Sequence, residues 1–232
     1  MKFALTALLT TALLIAGCSS PSSQPVAVDA AQVLHQSGAA MAALKTVAAS
    51  LKFTKGKITF QGFTLAGAKT SVRLPDQSDT VLNVKDQDLA FNVEIVIVGG
   101  RTYIQLPLSA LQEVTGSQAA AIPDLAKLFD PVTGLPAVIP AGHNPKYVGQ
   151  DTVDGVATQV ISATYTSDQI HALLAQLTSP GDIQAKIWLG ASDHLIRKAT
   201  LDGPFGDGGL ASTVEVDISK FNASVSITSP SP

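Results

Sequence analysis

The chain is poor in the residues that catalytic, metal-bound and nucleic-acid-binding proteins depend on. One cysteine, Cys18, stands among 232 residues, which excludes an internal disulfide and a thiolate metal cluster. Lys and Arg number 15 against 18 Asp and Glu, a net charge of −3. A nucleic-acid partner would want a basic surface, so none is expected. The four histidines, His35, His143, His171 and His194, are scattered. None forms a cluster at ligand spacing, so neither a metal nor a cofactor is expected. There is no Gly-x-Ser-x-Gly elbow and no P-loop. With charged residues at 14%, no carboxylate pair stands out for acid–base work. The chain is therefore not expected to be an enzyme, and no catalytic residue is assigned. No apolar run reaches the roughly 20 residues of a comfortable membrane span.

Aliphatic side chains are what the sequence has. Hydrophobic residues make up 46% and aromatics only 5%, so the chain builds its core from Val, Ile, Leu and Ala. The length suits one large domain or two small ones, and no internal repeat or second domain is evident.

The N-terminus is distinctive. Met1-Lys2 is a minimal positive region, and "FALTALLTTALLIAG" follows as an apolar run of signal-peptide length. It ends in Ile15-Ala16-Gly17-Cys18, which resembles the bacterial lipobox, where the cysteine is acylated and becomes the mature N-terminus. Residues 1–17 are read as a lipoprotein signal peptide, and Cys18 as the lipidation site. Residues 18–28 form a Ser/Pro-rich tether, and 29–232 the folded domain. Two or more acyl chains hold a protein stably on a bilayer. The folded part is thus expected on the extracytoplasmic side of the plasma membrane.

The mature chain reads as α+β. Val33, Leu34, Ser37, Met41 and Leu44 share one stripe of a helix capped by Asp29. Strand alternation begins near Val47, with more extended runs at 57–65 and 69–74. Gly99-Gly100 is a two-residue hairpin signal. It sets Val98 opposite Arg101, Ile97 opposite Thr102 and Ile95 opposite Ile104. The loop "KDQD" at 85–88 sets Val84 opposite Leu89 and Leu82 opposite Phe91. By parity Leu82, Val84, Leu89, Phe91, Val93, Ile95 and Ile97 share an apolar face, and Val96, Val98 and Tyr103 a mixed, wettable one. Ser109–Thr115 is a short helix candidate. Residues 125–140, punctuated by proline, read as short helices and turns suited to a lid. A helix capped by Ser167 follows, then a hairpin turning near 191–193 and a last strand at 210–221. The expected sheet wall of an apolar site is Leu82, Phe91, Val93, Ile95, Ile97 and Ile104. The expected helical wall is Leu135, Val138, Ile170, Leu173 and Leu174. Ordinary core packing is the alternative for each.

Four segments of the later half resemble one family. They are "FDPVTGLPAVI" (129–139), "GQDTVDGVATQVIS" (149–162), "IWLGASDHLIRKATLD" (187–202) and "VDISKFNASVSI" (216–227). In order and spacing they are similar to the LppX/LprA/LprF/LprG lipoproteins of mycobacteria and related actinobacteria. Phe221 stands where that family usually has Trp. The resemblance implies a curved antiparallel sheet, a half-barrel like that of the LolA/LolB carriers, with helices over its concave side around an apolar cavity. It implies multi-acylated lipids or glycolipids as ligands, carried toward the outer membrane or cell wall. A monomer is expected, with the plasma membrane and a membrane transporter as candidate partners. The rival reading is a non-carrier envelope scaffold or efflux-pump accessory lipoprotein with a solid core.

Overall fold

The computed structural model describes residues 28–87, 89–173 and 178–229. Cys18 and Leu174 lie outside the described residues, as do the signal peptide and the start of the tether. The chain opens with α1 (Ala30–Ala42), then β1 (Thr46–Lys55), β2 (Ile58–Phe60), β3 (Phe63–Arg73), β4 (Gln77–Asp86), β5 (Leu89–Val98) and β6 (Arg101–Gln105). Next come β7 (Gln112–Val114), α2 (Gly116–Ala120), a 3-10 turn at Leu125–Phe129, α3 (Leu135–Val138) and a second 3-10 turn at Ile139–Ala141. The later half is β8 (His143–Val153), β9 (Val156–Tyr165), α4 (Ser167–Leu173), β10 (Ile183–Gly190), β11 (Ile196–Gly206) and β12 (Leu210–Ser219).

The strands form one open antiparallel sheet in the order β7-β6-β5-β4-β3-β1-β12-β11-β10-β9-β8, with β2 paired to β3 alone. Every neighbour but β1–β12 and β1–β3 is consecutive in sequence, so most of the sheet is a meander of hairpins. The long-range β1–β12 pair joins the two halves, with Leu51 opposite Val216.

Directly opposed residues in antiparallel strands point to the same side of the sheet. One such row runs Tyr147–Ile161–Ile187–Ala199–Val216–Leu51–Ala68–Leu82–Val93. Nine strands thus share a single apolar face. Register shifts interrupt the ladders at Phe53/Lys55, Leu65/Gly67, Gly203/Gly206 and Trp188/Leu189. Such bulges bend and twist strands, and a sheet this wide would otherwise be hard to keep open.

Helices cover this face in two places. Over the later half sits α1, whose buried stripe of Val33, Leu34, Ser37 and Met41 matches the sequence pattern. Asp29 caps it, its Oδ1 accepting from the Ala31 and Gln32 amides at 3.0 and 3.1 Å. The helix approaches α3 closely at Gly38, where a Cβ would stand 2.6 Å from the Pro136 carbonyl oxygen. Phe129, Ile139, Ile161, Ile183 and Leu189 complete this core beneath it. The Tyr165 hydroxyl donates to the Ile139 carbonyl at 3.0 Å, and burial raises its pKa.

Several expectations shift. The first helix ends at Ala42, and strand begins at Thr46. Ser109–Thr115 is not a helix: the Ser109 hydroxyl closes a turn on Leu106, and Gln112–Val114 pairs with β6. The helix at 167 is capped one residue earlier. Thr166 Oγ1 accepts from the Gln169 amide, and Gln169 Oε1 accepts from the Thr166 amide, a reciprocal capping box. The face expected to be wettable is covered where it carries Val96, Val98 and Tyr103. Val225 and Ile227, downstream of β12, pack there.

Candidate functional site

The second covered place is a cavity of about 560 Å³ over β4, β5 and β6. Its floor is Leu82 and Val84 from β4, Val93 and Ile95 from β5, and Ile104 from β6. The ladders explain why these meet: Leu82 opposes Val93, Val84 opposes Phe91, and Ile95 opposes Ile104. The β2–β3 hairpin folds in from one side and contributes Phe60, Gln61 and Phe63. The roof is Ser117, Gln118, Ala121 and Ile122, from α2 and the residue pair after it. Leu106, Ser109, Gln112 and Val114 line the remaining side.

No lining side chain is charged. The polar ones are amides and hydroxyls, gathered on the roof, the β6–β7 connection and the hairpin tip, while the floor is wholly aliphatic. Such a site offers dispersion contacts and neutral hydrogen bonds, with no acid, base or nucleophilic thiol to drive chemistry. Among the described residues, no group of three or more His, Cys, Asp or Glu could hold a metal ion. No described helix is long and apolar enough to cross a membrane.

The expected sheet wall divides. Leu82, Val93, Ile95 and Ile104 line the cavity together. Phe91 packs edge-on against Phe63, ring centroids 5.2 Å apart, and so buttresses the hairpin without lining the space. Ile97 is buried in the same cluster, outside the lining. The expected helical wall belongs elsewhere. Leu135, Val138 and Ile170 pack into the α1 core, and Leu173 is half-buried at the last described residue of α4. The proline-punctuated segment 125–140 carries the buried Ala126, Phe129 and Ile139 of that same core, so it is structural cover there. Sequence reasoning missed Phe60, Phe63 and Ile122. The "GSQAA" roof has no apolar periodicity to betray it.

Other charged groups serve the scaffold. Asp207 accepts from the Thr59 hydroxyl and amide, both at 2.7 Å, and these bonds lower its pKa. Asp151 accepts from the Trp188 indole at 2.9 Å, which with the Thr152 amide lowers its pKa. Lys186 and Lys198 lie 4.7 and 5.5 Å from the Trp188 ring centroid.

Known mycobacterial lipoproteins share this fold. LprF from Mycobacterium bovis superposes with a TM-score of 0.69 at 21% identity, over 88% of this chain and 97% of that one. LppX from Mycobacterium tuberculosis does so with a TM-score of 0.62 at 19% identity, over 85% and 97%. The chain belongs to the LppX_LprAFG lipoprotein family, whose model matches residues 29–227. Among curated relatives, the lipoarabinomannan carrier protein LprG of Mycobacterium tuberculosis is 27% identical over 97% of this chain and 93% of its own length. LprG of Mycobacterium leprae is 26% identical over 98% and 94%.

Proposed function

We propose that this protein is an envelope lipoprotein that carries acylated lipids or glycolipids, sheltering their chains against its sheet on the way from the plasma membrane toward the outer membrane or cell wall. One observation carries the reading: an uncharged cavity of about 560 Å³ floored by Leu82, Val93, Ile95 and Ile104. An apolar cavity of about 150 Å³ takes a benzene, so a carbon needs about 25 Å³. At that density the space would take about 22 carbons, the size of one long acyl chain. Each methylene removed from water contributes about 0.8 kcal/mol. Further chains of a multi-acylated ligand would lie along the half-buried Leu51, Phe53 and Leu201, which edge the α1 core on the same face. The name of the LprG relatives supports a glycolipid class of ligand. Cys18, acylated after removal of residues 1–17, would anchor the domain through the tether.

The reading is tested by titrating the protein with a fluorescent fatty-acyl probe. Saturable binding is expected, displaced by diacyl lipid and abolished by Ile95→Glu, which places a charge on the cavity floor. Undiminished binding by a folded Ile95→Glu protein would refute this site.

A further inference from the structure

The turn that follows β6 is built in an unusual way. Leu108 has a φ of +62°, a left-handed conformation that leucine rarely adopts. Its side chain is fully exposed, at 109% of the reference value. A leucine in that state has neither backbone preference nor packing to favour it. The turn is nevertheless tightly held. Ser109 Oγ donates to the Leu106 carbonyl at 2.9 Å and accepts from the Leu106 amide at 3.0 Å. The Ser109 carbonyl accepts from the Gln105 side-chain amide at 2.9 Å, and the Ser109 amide donates to Leu106.

Its position matters. Leu106 lines the cavity and is also half-exposed, so it is shared between the cavity and the outer surface. β6 ends with Gln105 opposite Glu94, so the turn follows beside the middle of β5 and points toward the end of the sheet where β5 begins. The β2–β3 hairpin tip lies at that end, since Thr64 opposes Lys85.

We infer that the Leu106–Ser109 turn is the surface by which the cavity docks onto a lipid bilayer. The inference rests on the lipid-carrying reading above. A rigid turn holding an aliphatic side chain outward beside a lipid-sized cavity lets a chain pass from bilayer to cavity without crossing water. The chemistry favours a bilayer over a protein. The residues are leucine, proline and serine, whereas protein hot spots are enriched in Trp, Tyr and Arg. No residue from Leu106 to Ser109 is charged, so docking is driven by apolar contact and needs no anionic lipid.

Cys18 is the chain's only cysteine, which makes site-specific labelling simple. The full chain carrying Cys18→Ser and Leu108→Cys is labelled with an NBD fluorophore and mixed with phosphatidylcholine vesicles containing doxyl-lipid quencher. A Val132→Cys label, on an exposed turn elsewhere, is the control. A blue shift and quenching at position 108 but not at 132 are expected. In parallel, Leu108→Asp should slow pickup of pyrene-labelled phosphatidylcholine from vesicles by about tenfold or more. Loading of the same lipid from detergent micelles should not change. A silent label at 108, or an unaltered pickup rate in Leu108→Asp, would overturn the docking surface. Failure to load from micelles as well would instead overturn the carrier reading.

Discussion

Val93→Trp should block much of the cavity while leaving the fold in place. Val93 is 8% exposed, opposes Leu82 in the ladder and lines the floor. Tryptophan carries about seven more side-chain heavy atoms than valine, which at about 25 Å³ each occupy about 175 Å³. That is about a third of the available 560 Å³, and it leaves room for about 15 carbons. An 18-carbon chain, which fits the parent cavity, is then deprived of about three enclosed carbons, a gross loss of about 2.4 kcal/mol. Displaced methylenes can still lie along half-buried Leu51 and Phe53, so about half of that loss should survive in the binding constant. The expected weakening for the C18 probe is about five- to tenfold. Overpacking a filled core costs about 1–3 kcal/mol, and the void beside Val93 should hold the cost near the lower end. Titration with a fluorescent C18 acyl probe reads the affinity, and thermal unfolding reads the fold. A shorter C12 probe should be nearly indifferent to the substitution. Equal affinity of the folded variant and the parent for the C18 probe would refute the assignment of the cavity.

Three further outcomes follow from the scaffold. Phe129→Ala, at a side chain 2% exposed beneath α1, should cost about 3–5 kcal/mol in denaturant unfolding, a large share of a typical total. Gly38→Ala should destabilise although alanine favours helix by about 1 kcal/mol. Its Cβ would meet the Pro136 carbonyl oxygen and the Pro140 ring, each at 2.6 Å, and a lowered Tm is the result to look for. Asp207 has a depressed folded pKa because Thr59 donates two hydrogen bonds to it. Its contribution is therefore present above the unfolded value of about 3.9 and lost as pH falls through the lower folded value. Asp207→Asn should flatten the acid limb of the stability–pH profile in that window, and an unchanged limb would contradict the linkage.

Local pairing in the meander was legible because short turns carry it. Gly99-Gly100 placed Val98 opposite Arg101 and Ile95 opposite Ile104, as the structure has them. The β4–β5 turn is tighter than the "KDQD" loop suggested: Asp86, not Val84, opposes Leu89, and Leu82 opposes Val93. A two-residue slip returns every side chain to the same face, so Leu82, Val84, Phe91, Val93, Ile95 and Ile97 share one face as expected although the β4–β5 register differs. The long-range β1–β12 pairing left no mark in local spacing. Residues expected as a helical wall pack against the α1 core instead of the cavity for a related reason. Leu135, Val138 and Ile170 have the right chemistry for a roof, but only topology decides which half of the sheet they cover. The true roof, Gly116 to Ile122, is short, polar and without a stripe. The back of β5 and β6 looked wettable because its cover, Val225 and Ile227, arrives from the far end of the chain.

The most direct test of the account is native mass spectrometry of the protein purified from its own envelope in mild detergent. The account predicts a ligand-bound species, with a co-purifying acylated lipid near one molecule per chain that Val93→Trp depletes. A folded protein that is bare under the same conditions, or lipid occupancy that Val93→Trp leaves untouched, would contradict it.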